Sequence, residues 1–235
     1  MAAEDVDVWR IDADRCDVPA AWAGAAELRR ARTLHDPREA RRHVATHATL
    51  VAILAAALER DPRALRIVRV CSWCGDSGHG KPALVEATDP PLDFSLTRRG
   101  AVALLAVAHG RAVGVDVEPL HQDVDWAAVA RRTFAASERR RLDAALRWWV
   151  RREAIAKATG AGLALDFGRL DTASRAPADG WTRVALPAPW AERCARVLVA
   201  DLDVGGGMEA AIATTAARPP QVRLRSARVR RPFAR

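Results

Sequence analysis

Three acidic side chains and one lysine could act together in this chain. Residues 113–118 alternate apolar and polar side chains, as a β-strand does, which would place Asp116 and Glu118 on one face with Cα atoms about 6.5 Å apart. Two carboxylates that close raise each other's pKa unless a cation lies between them, and Mg²⁺ prefers such oxygen ligands. The pair indicates a magnesium site, although a solvated acidic edge strand has the same pattern.

A third carboxylate lies on a helix-like segment. Trp149, Glu153 and Lys157 recur at steps of four, so a helix would carry them along one face. Glu153 could therefore meet the two strand carboxylates if both elements faced one cleft. A glutamate and a lysine at this spacing are also the ordinary pattern of a surface ion pair.

The loop at residues 71–91 contains two further patterns. Cys71, Cys74 and His79 are zinc-ligand types at short spacing, but no second Cys-x-x-Cys is present to supply a fourth ligand. The sequence favours a plain loop with two thiols, although a distant residue could complete a zinc site.

Residues 75–81 match the first seven positions of a phosphate-binding loop that ends in Lys81. The eighth position should be Ser or Thr and is Pro82, and the short segment that follows is not helical in pattern. We exclude an ATPase or GTPase. Lys81 could still hold a phosphate as a point charge, or be a solvated surface lysine.

Composition narrows the classes of partner. The 235 residues are half hydrophobic and carry a formal net charge of +8, almost all of it from arginine. A basic surface suits nucleic acid, an anionic membrane, an acidic protein or a phosphorylated ligand. Aromatic residues make up 5% and tyrosine is absent, which disfavours a nucleic-acid-binding module built on base stacking.

Membranes and secretion are also disfavoured. No stretch approaches the roughly 18 unbroken apolar residues of a membrane span. Residues 1–14 are acidic, unlike a signal peptide, so we expect a cytoplasmic protein.

Periodicity and turn residues predict a mixture of helices and strands. Helices are expected at residues 20–33, 37–60, 126–134 and 137–159, with Asp36-Pro37 starting the second and Ser137 the fourth. Strands are expected at residues 6–11, 65–70, 94–97, 101–108, 112–118, 184–186, 196–201, 209–215 and 222–224. This order predicts an α+β fold with an N-terminal part at 1–118, a C-terminal part at 119–226 and a flexible basic tail at 227–235.

Several motifs occur in one order. They are Gly80-Lys81-Pro82, Phe94-Ser-Leu-Thr97, Gly114-Val-Asp116-Val-Glu118 and Trp149-x-x-Arg-Glu153-Ala-x-x-Lys157-Ala-x-Gly160-x-Gly162-Leu163. Together they resemble the surfactin-type family of 4′-phosphopantetheinyl transferases over residues 30–163. The loop from Cys71 to Pro82 looks like the form seen in actinobacterial members.

The resemblance implies a fold, an activity and a site. The fold is a pseudo-twofold pair of α+β halves with coenzyme A in the cleft between them. The reaction is Mg²⁺-dependent transfer of phosphopantetheine to a serine of an acyl or peptidyl carrier protein. The implied metal ligands are Asp116, Glu118 and Glu153; the implied catalytic residues are Glu153, Lys157 and Asp116; the implied coenzyme contacts are Lys81, Pro82, Ser95, Thr97, Arg98, Arg42 and Arg30.

The carrier partner fits the charge balance, because carrier proteins are typically acidic and this chain is basic. Two similar halves in one chain also favour a monomer. The family's turn usually reads Ser-His-Ser, whereas this chain has Thr97-Arg98-Arg99, and Arg152 replaces the usual lysine beside the catalytic glutamate. The altered turn leaves one alternative open, a relative that binds coenzyme A or carrier proteins without transfer.

Overall fold

The structure, a computed structural model, describes residues 5–69, 71, 74–76, 79–136, 138–173 and 179–227. The predicted tail lies outside this range except for Ala227. Within the described ranges no helix combines the length and the apolar character needed to cross a bilayer.

The described residues form ten strands and five helices, with runs of consecutive strands in both halves of the chain. The strands are β1 (Asp5–Asp12), β2 (Ile67–Arg69), β3 (Pro82–Leu84), β4 (Leu92–Arg99), β5 (Val102–His109), β6 (Val113–Pro119), β7 (Thr182–Ala185), β8 (Arg196–Asp201), β9 (Met208–Thr214) and β10 (Gln221–Ser226). The helices are α1 (Gly24–Arg32), α2 (Pro37–Ala57), α3 (Trp126–Thr133), α4 (Ala145–Thr159) and α5 (Trp190–Arg193). Short 3₁₀ turns lie at Ala20–Ala23, Pro62–Ala64, Leu142–Ala144, Gly162–Ala164 and Phe167–Arg169.

Two four-stranded sheets form the body of the protein. The first has the order β10-β1-β5-β4, with β1 antiparallel to β5 and parallel to β10. The second has the order β6-β9-β8-β7 and is antiparallel throughout. Strands β2 and β3 form a two-stranded antiparallel sheet. The strand β3 begins at Pro82, where a phosphate-binding loop would start a helix.

The sheets pack face to face, and one long helix covers the outer face of each. Val8 and Leu104 of the first sheet meet Val115 and Ile212 of the second in a central apolar cluster. Leu50 and Leu54 are among the α2 residues that pack on the far side of the first sheet, and α4 packs on the far side of the second. The protein is thus helix, sheet, sheet, helix in layers, and the predicted α+β fold class is confirmed.

Local sequence sets the ends of the two covering helices. Asp36 accepts a hydrogen bond from the backbone N–H of Arg38 at 2.7 Å, and Pro37 occupies the first helical position, as predicted. Gly160 ends α4 in the left-handed conformation at φ +69°, which glycine adopts without steric cost.

The predicted start of the fourth helix is wrong. The helix α4 begins at Ala145, and Ser137 itself lies outside the described residues. The side chain of Glu138 accepts from the backbone N–H groups of Ala135 and Thr172 and pairs with Arg152, which holds the chain after Glu138 in turns.

Strand pairing crosses the predicted boundary between the two parts of the chain. The strand β6, which that boundary splits between Glu118 and Pro119, belongs to the second sheet, and β10 of the second part joins the first sheet beside β1. The division at 118/119 stays a prediction.

A close approach of α4 to β6 generates the first testable prediction. A Cβ atom added at Gly114 would lie 2.0 Å from the backbone oxygen of Ala154 and 2.3 Å from the backbone nitrogen of Ala158. Because both are backbone atoms, Gly114→Ala must push the helix off the strand. We expect it to lower the free energy of unfolding by about 3 kcal/mol or more, the upper part of the range for overpacking.

Denaturant unfolding of Gly114→Ala measures this loss. Gly168→Ala is the matched control, because its added Cβ would meet only the side-chain Oδ1 of Asp166, at 3.3 Å. Equal stability of the two variants would contradict the assigned contact between α4 and β6.

Candidate active site

Strands β4 and β6 lie side by side, joined by side chains. Asp93, Ser95 and Thr97 occupy alternate positions of β4 and so share one face. Asp93 Oδ2 accepts from the backbone N–H of Val113 at 2.7 Å, and Ser95 Oγ accepts from that of Val115 at 3.1 Å. These bonds fix the register of the two strands, and with it the position of every polar side chain on β6.

Asp116 lies at the centre of the candidate site and is 3% exposed. Its Oδ1 accepts from Thr97 Oγ1 at 2.9 Å and from Lys157 Nζ at 2.6 Å. Its Oδ2 is buried and accepts no hydrogen bond from the described residues. A buried carboxylate oxygen without a partner is costly, so this atom is a place where a cation would stabilise the site.

Glu118 follows on the same face of β6 and is 5% exposed. The guanidinium of Arg99 binds it through two hydrogen bonds, with Nε to Oε2 at 2.6 Å and Nη2 to Oε1. This bond to Glu118 raises the pKa of Arg99. Arg99 thus neutralises the charge of Glu118.

Glu153 faces this pair from α4, one helical turn before Lys157. Burial raises the pKa of Glu153, and the charge of Asp116 raises it further, whereas Lys157 and Arg99 act in the opposite direction. A carboxyl group with a raised pKa beside a second carboxylate is a candidate for proton transfer or for holding a cation.

The donor set fits a hard divalent ion. Asp116, Glu118 and Glu153 supply carboxylate oxygens from a strand and a helix that face each other, and Mg²⁺ prefers such ligands. They are not among the described side chains whose ligand atoms all lie within 4.8 Å of one another. Lys157 and Arg99 occupy the carboxylates instead, so a metal would draw the three side chains together.

A cavity of about 520 Å³ opens beside Glu153. Five predicted site residues line it: Lys81, Pro82, Ser95, Glu153 and Lys157. Lys81 Nζ donates to Asp93 Oδ2 and to the backbone oxygen of Val113, the latter at 2.8 Å, and burial lowers the pKa of Lys81. These contacts use two of the three N–H donors of the ammonium group.

The predicted arginines lie elsewhere. Arg98 points to the opposite face of β4 from Thr97, where it donates to Glu39 Oε2 at 2.6 Å and to the backbone oxygen of Gly100. Arg42 donates to the other oxygen of Glu39 at 2.7 Å and to Asp14. Arg30 is exposed near the end of α1. Arg98 and Arg42 are thus brought together, around Glu39, and neither lines the cavity.

Arg152 is a structural residue in this protein. Although it neighbours Glu153 in sequence, its side chain is fully buried on the other side of α4. Its five N–H donors are used by Glu138, by Thr172 Oγ1 and by the backbone oxygens of Trp148, Phe167 and Leu170. A lysine could not make these planar, forked contacts. The arginine here therefore ties α4 to the surrounding chain through hydrogen bonds.

Sequence reasoning missed two members of the site, Asp93 and Arg99. The signal was available in the alternation of β4. Once Ser95 and Thr97 are assigned to the face that meets β6, Asp93 and Arg99 belong to it as well, and Arg98 belongs to the other face.

Comparisons with known proteins agree with this geometry. Residues 112–207 match the model of the 4′-phosphopantetheinyl transferase superfamily, a range that contains Asp116, Glu118, Glu153 and Lys157. The chain is also 29% identical over 178 residues to the 4′-phosphopantetheinyl transferase HetI of a Nostoc species, covering 70% of this chain and 72% of that protein.

These two comparisons confirm the predicted enzyme class, a 4′-phosphopantetheinyl transferase. The finer surfactin-type, actinobacterial-like assignment stays a prediction.

The raised pKa of Glu153 predicts how stability depends on pH when no divalent ion is bound. The folded protein holds the Glu153 proton to higher pH than the unfolded chain, whose carboxyl has the ordinary value of 4.5. Ionisation therefore destabilises the fold as the pH rises above 4.5 towards the raised value. Glu153→Gln cannot ionise, so we expect it to melt higher than the parent at neutral pH in chelator and equally below pH 4.5.

Thermal melts across this pH range, in chelator, test the expectation. Glu192→Gln is the control because Glu192 is exposed on α5, away from the site. A Glu153→Gln variant that melts below the parent at neutral pH would contradict the assigned electrostatics.

Proposed function

We propose that this 4′-phosphopantetheinyl transferase moves the phosphopantetheine arm of coenzyme A to a serine of an apo acyl or peptidyl carrier protein, with Mg²⁺ held by Asp116, Glu118 and Glu153. The observation that supports this most is the buried Asp116, which has one oxygen without a partner among the described residues. Its neighbour Glu153, whose pKa is raised, lines the cavity together with two lysines.

The reaction requires one bond to form and one to break. The serine Oγ attacks the phosphorus that carries the pantetheine arm. The bond between that phosphorus and the bridging oxygen of the pyrophosphate breaks, which releases the adenosine bisphosphate. The serine proton must go to a base as the oxygen attacks, and Glu153 is the candidate because its pKa lies above that of an ordinary carboxylate.

Two lysines supply positive charge where phosphates would lie. Lys157 Nζ is partly exposed at the cavity wall, within hydrogen-bond distance of Asp116. Lys81 keeps a third N–H donor beyond its bonds to Asp93 and Val113. When bound, Mg²⁺ supplies further charge neutralisation of the pyrophosphate. Charge neutralisation and positioning are what phosphoryl-type transfer requires, with little covalent help from the protein.

The remaining coenzyme contacts are proposed for Pro82, Ser95 and Thr97 near the cavity and for Arg98, Arg42 and Arg30 at the nucleotide end. Arg98 and Arg42 bind Glu39 on the far face of β4, so they would hold a phosphate at a separate subsite. We propose that the enzyme acts as a cytoplasmic monomer of the surfactin type and that its charge of +8 steers acidic carrier proteins to it.

One observation favours a second candidate function, binding of coenzyme A or carrier proteins without transfer. Arg99 holds Glu118 through two hydrogen bonds, and Arg99 belongs to the turn that departs from the family pattern. If this pair persisted in the complex, Glu118 would be unable to bind the metal.

The direct test incubates the protein with coenzyme A, Mg²⁺ and a panel of apo carrier proteins. Intact-mass measurement should show the gain of one phosphopantetheine arm on at least one carrier protein. Binding of coenzyme A with no mass gain on any carrier would favour the non-transferring alternative.

The carboxylates generate a prediction on turnover. Asp116→Ala should abolish transfer and raise the Mg²⁺ requirement, because a hard cation loses affinity with each charged ligand removed. Glu153→Gln should lower kcat far more than it weakens coenzyme A binding, because an amide cannot accept the serine proton. Carrier modification over a magnesium titration measures both effects.

Glu192→Gln is again the matched control, since it also removes one carboxylate charge and should transfer normally. Near-normal turnover of Glu153→Gln would reject Glu153 as the base. If Asp116→Ala were also active, the transfer site would lie elsewhere in the chain.

Arg98 generates a prediction on coenzyme binding. In the proposed complex Arg98 contacts a phosphate of coenzyme A, at the turn where the family places a histidine. Arg98→Ala should then weaken coenzyme A binding by about 1.5–3 kcal/mol, the range for a lost hydrogen bond to a charged group. Calorimetry of coenzyme A binding measures the change.

Arg183→Ala is the matched control, because Arg183 on β7 makes a partly exposed ion pair with Asp179 and does not line the cavity. Unchanged affinity of Arg98→Ala would remove Arg98 from the binding site without bearing on the transfer reaction itself.

A further inference from the structure

Three zinc-ligand side chains meet at one wall of the cavity. The Sγ atoms of Cys71 and Cys74 and a ring nitrogen of His79 lie within 4.8 Å of one another, and Cys74 Sγ is 3.3 Å from His79 Nε2. In a tetrahedral zinc site with two thiolates and an imidazole, neighbouring ligand atoms lie about 3.5–3.8 Å apart. Small side-chain rotations would therefore bring the three atoms to metal-binding geometry.

The backbone is shaped to present these side chains. The backbone N–H of Cys71 donates to the oxygen of Asp76, and that of Gly75 donates to the oxygen of Cys71, both at 2.9 Å. Gly75 has φ +74°, a conformation that residues with a Cβ rarely adopt. These hydrogen bonds hold the backbone of Cys71 against Gly75 and Asp76, which keeps the Cys71 thiol near that of Cys74.

The chemistry of the ligands favours zinc. Two thiolates and one imidazole are soft and borderline donors, unlike the carboxylate oxygens proposed for magnesium. All four cysteines of the chain are described, and each is a thiol outside any disulfide. Neither thiol of the pair is therefore consumed by a disulfide.

We propose that Cys71, Cys74 and His79 bind one Zn²⁺ ion, with a water molecule or an added ligand in the fourth position. The sequence alone argues against such a site, because spacing shows no fourth ligand nearby. The structure removes the need for one: Cys71, Cys74 and His79 all line the cavity, so the fourth position can open towards it. Three protein ligands with one open position is a common arrangement of zinc.

The ion would hold the loop that carries Lys81. His79 is two residues before Lys81, and Pro82 then begins β3. A fixed His79 restricts the path of this segment, which keeps Lys81 in place on Asp93 and Val113. This role of the zinc in positioning Lys81 for coenzyme A rests on the proposed function, whereas zinc binding itself does not.

A second cluster of three potential ligands provides an internal comparison. Glu27, His43 and His47 also lie close together, with His43 Nε2 2.8 Å from Glu27 Oε2. Arg69 lies 3.7 Å from the other oxygen of Glu27. Glu27 already pairs with Arg69 and bonds directly to His43, so this cluster is a satisfied ion pair rather than a metal site.

The test is zinc binding by tag-free protein purified with reduced thiols and without chelator. Elemental analysis should find one equivalent of zinc per chain. Replacement of zinc by Co²⁺ should produce the near-ultraviolet charge-transfer absorption of a cobalt–thiolate bond. Cys74→Ser and His79→Ala should each lose the zinc on dialysis, and Cys194→Ser and His43→Ala should retain it.

Other outcomes overturn the proposal. These are no zinc uptake with reduced thiols, a cobalt spectrum without thiolate absorption, or a Cys71–Cys74 disulfide that takes up no zinc after reduction. Loss of zinc from His43→Ala with retention in Cys74→Ser would place the metal at Glu27 instead. Thermal melts check that each variant is folded. If either Cys74→Ser or His79→Ala does not fold, the other still tests the site.

Zinc content and transfer activity separate the two proposals. Stoichiometric zinc in a protein that modifies no carrier would leave the zinc site standing and reject the transferase function. Transfer by a protein that never takes up zinc would reject the zinc site and support the transferase function. Weaker coenzyme A binding after zinc removal is expected if the ion positions Lys81.

Discussion

The burial of the Asp116 carboxylate is the constraint on which the rest of this structure depends. A buried charge is stable only if other groups are held against it, and here they come from different layers: Thr97 from the first sheet and Lys157 from α4. Lys157 reaches Asp116 because α4 lies directly on β6, an approach that a side chain at Gly114 would prevent. The absence of a Cβ at one position is thus what lets the helix residue Lys157 reach the strand residue Asp116.

The candidate site also lies where the edges of the two sheets meet. Strands β4 and β6 are each the last strand of a sheet, and exposed edges invite pairing with other chains. In this protein each edge covers the other, through hydrogen bonds that Asp93 and Ser95 accept from backbone N–H groups of β6. The polar side chains on this face of β4 therefore join the two sheets, independently of any role in the reaction. Their rigidity is an advantage for a site, since groups held by packing need little reorganisation.

Periodic patterns could be predicted from the sequence, and contacts between distant elements could not. The alternation in β6 placed Asp116 and Glu118 on one face, and the helical spacing placed Glu153 near Lys157; both expectations agree with the structure. Local sequence also gave the start of α2 and the end of α4. By contrast, the pairing of β10 with β1 and that of Arg152 with Glu138 depend on tertiary packing, which local patterns do not show. The predicted start of α4 was wrong for the same reason, because Glu138 is held by Arg152 and Thr172, which come later in the chain.

The charges around the site imply that metal and coenzyme would bind cooperatively. Lys157 and Arg99 now neutralise Asp116 and Glu118, so a cation that joined these carboxylates would compete with both. A pyrophosphate changes this balance, because the displaced lysine and arginine then have phosphate oxygens to bind. Each ligand would relieve the cost that the other imposes, and by linkage each would raise the affinity for the other by the same factor. In the proposed function, the ion pairs of Lys157 and Arg99 with the carboxylates therefore make metal binding depend on the bound coenzyme.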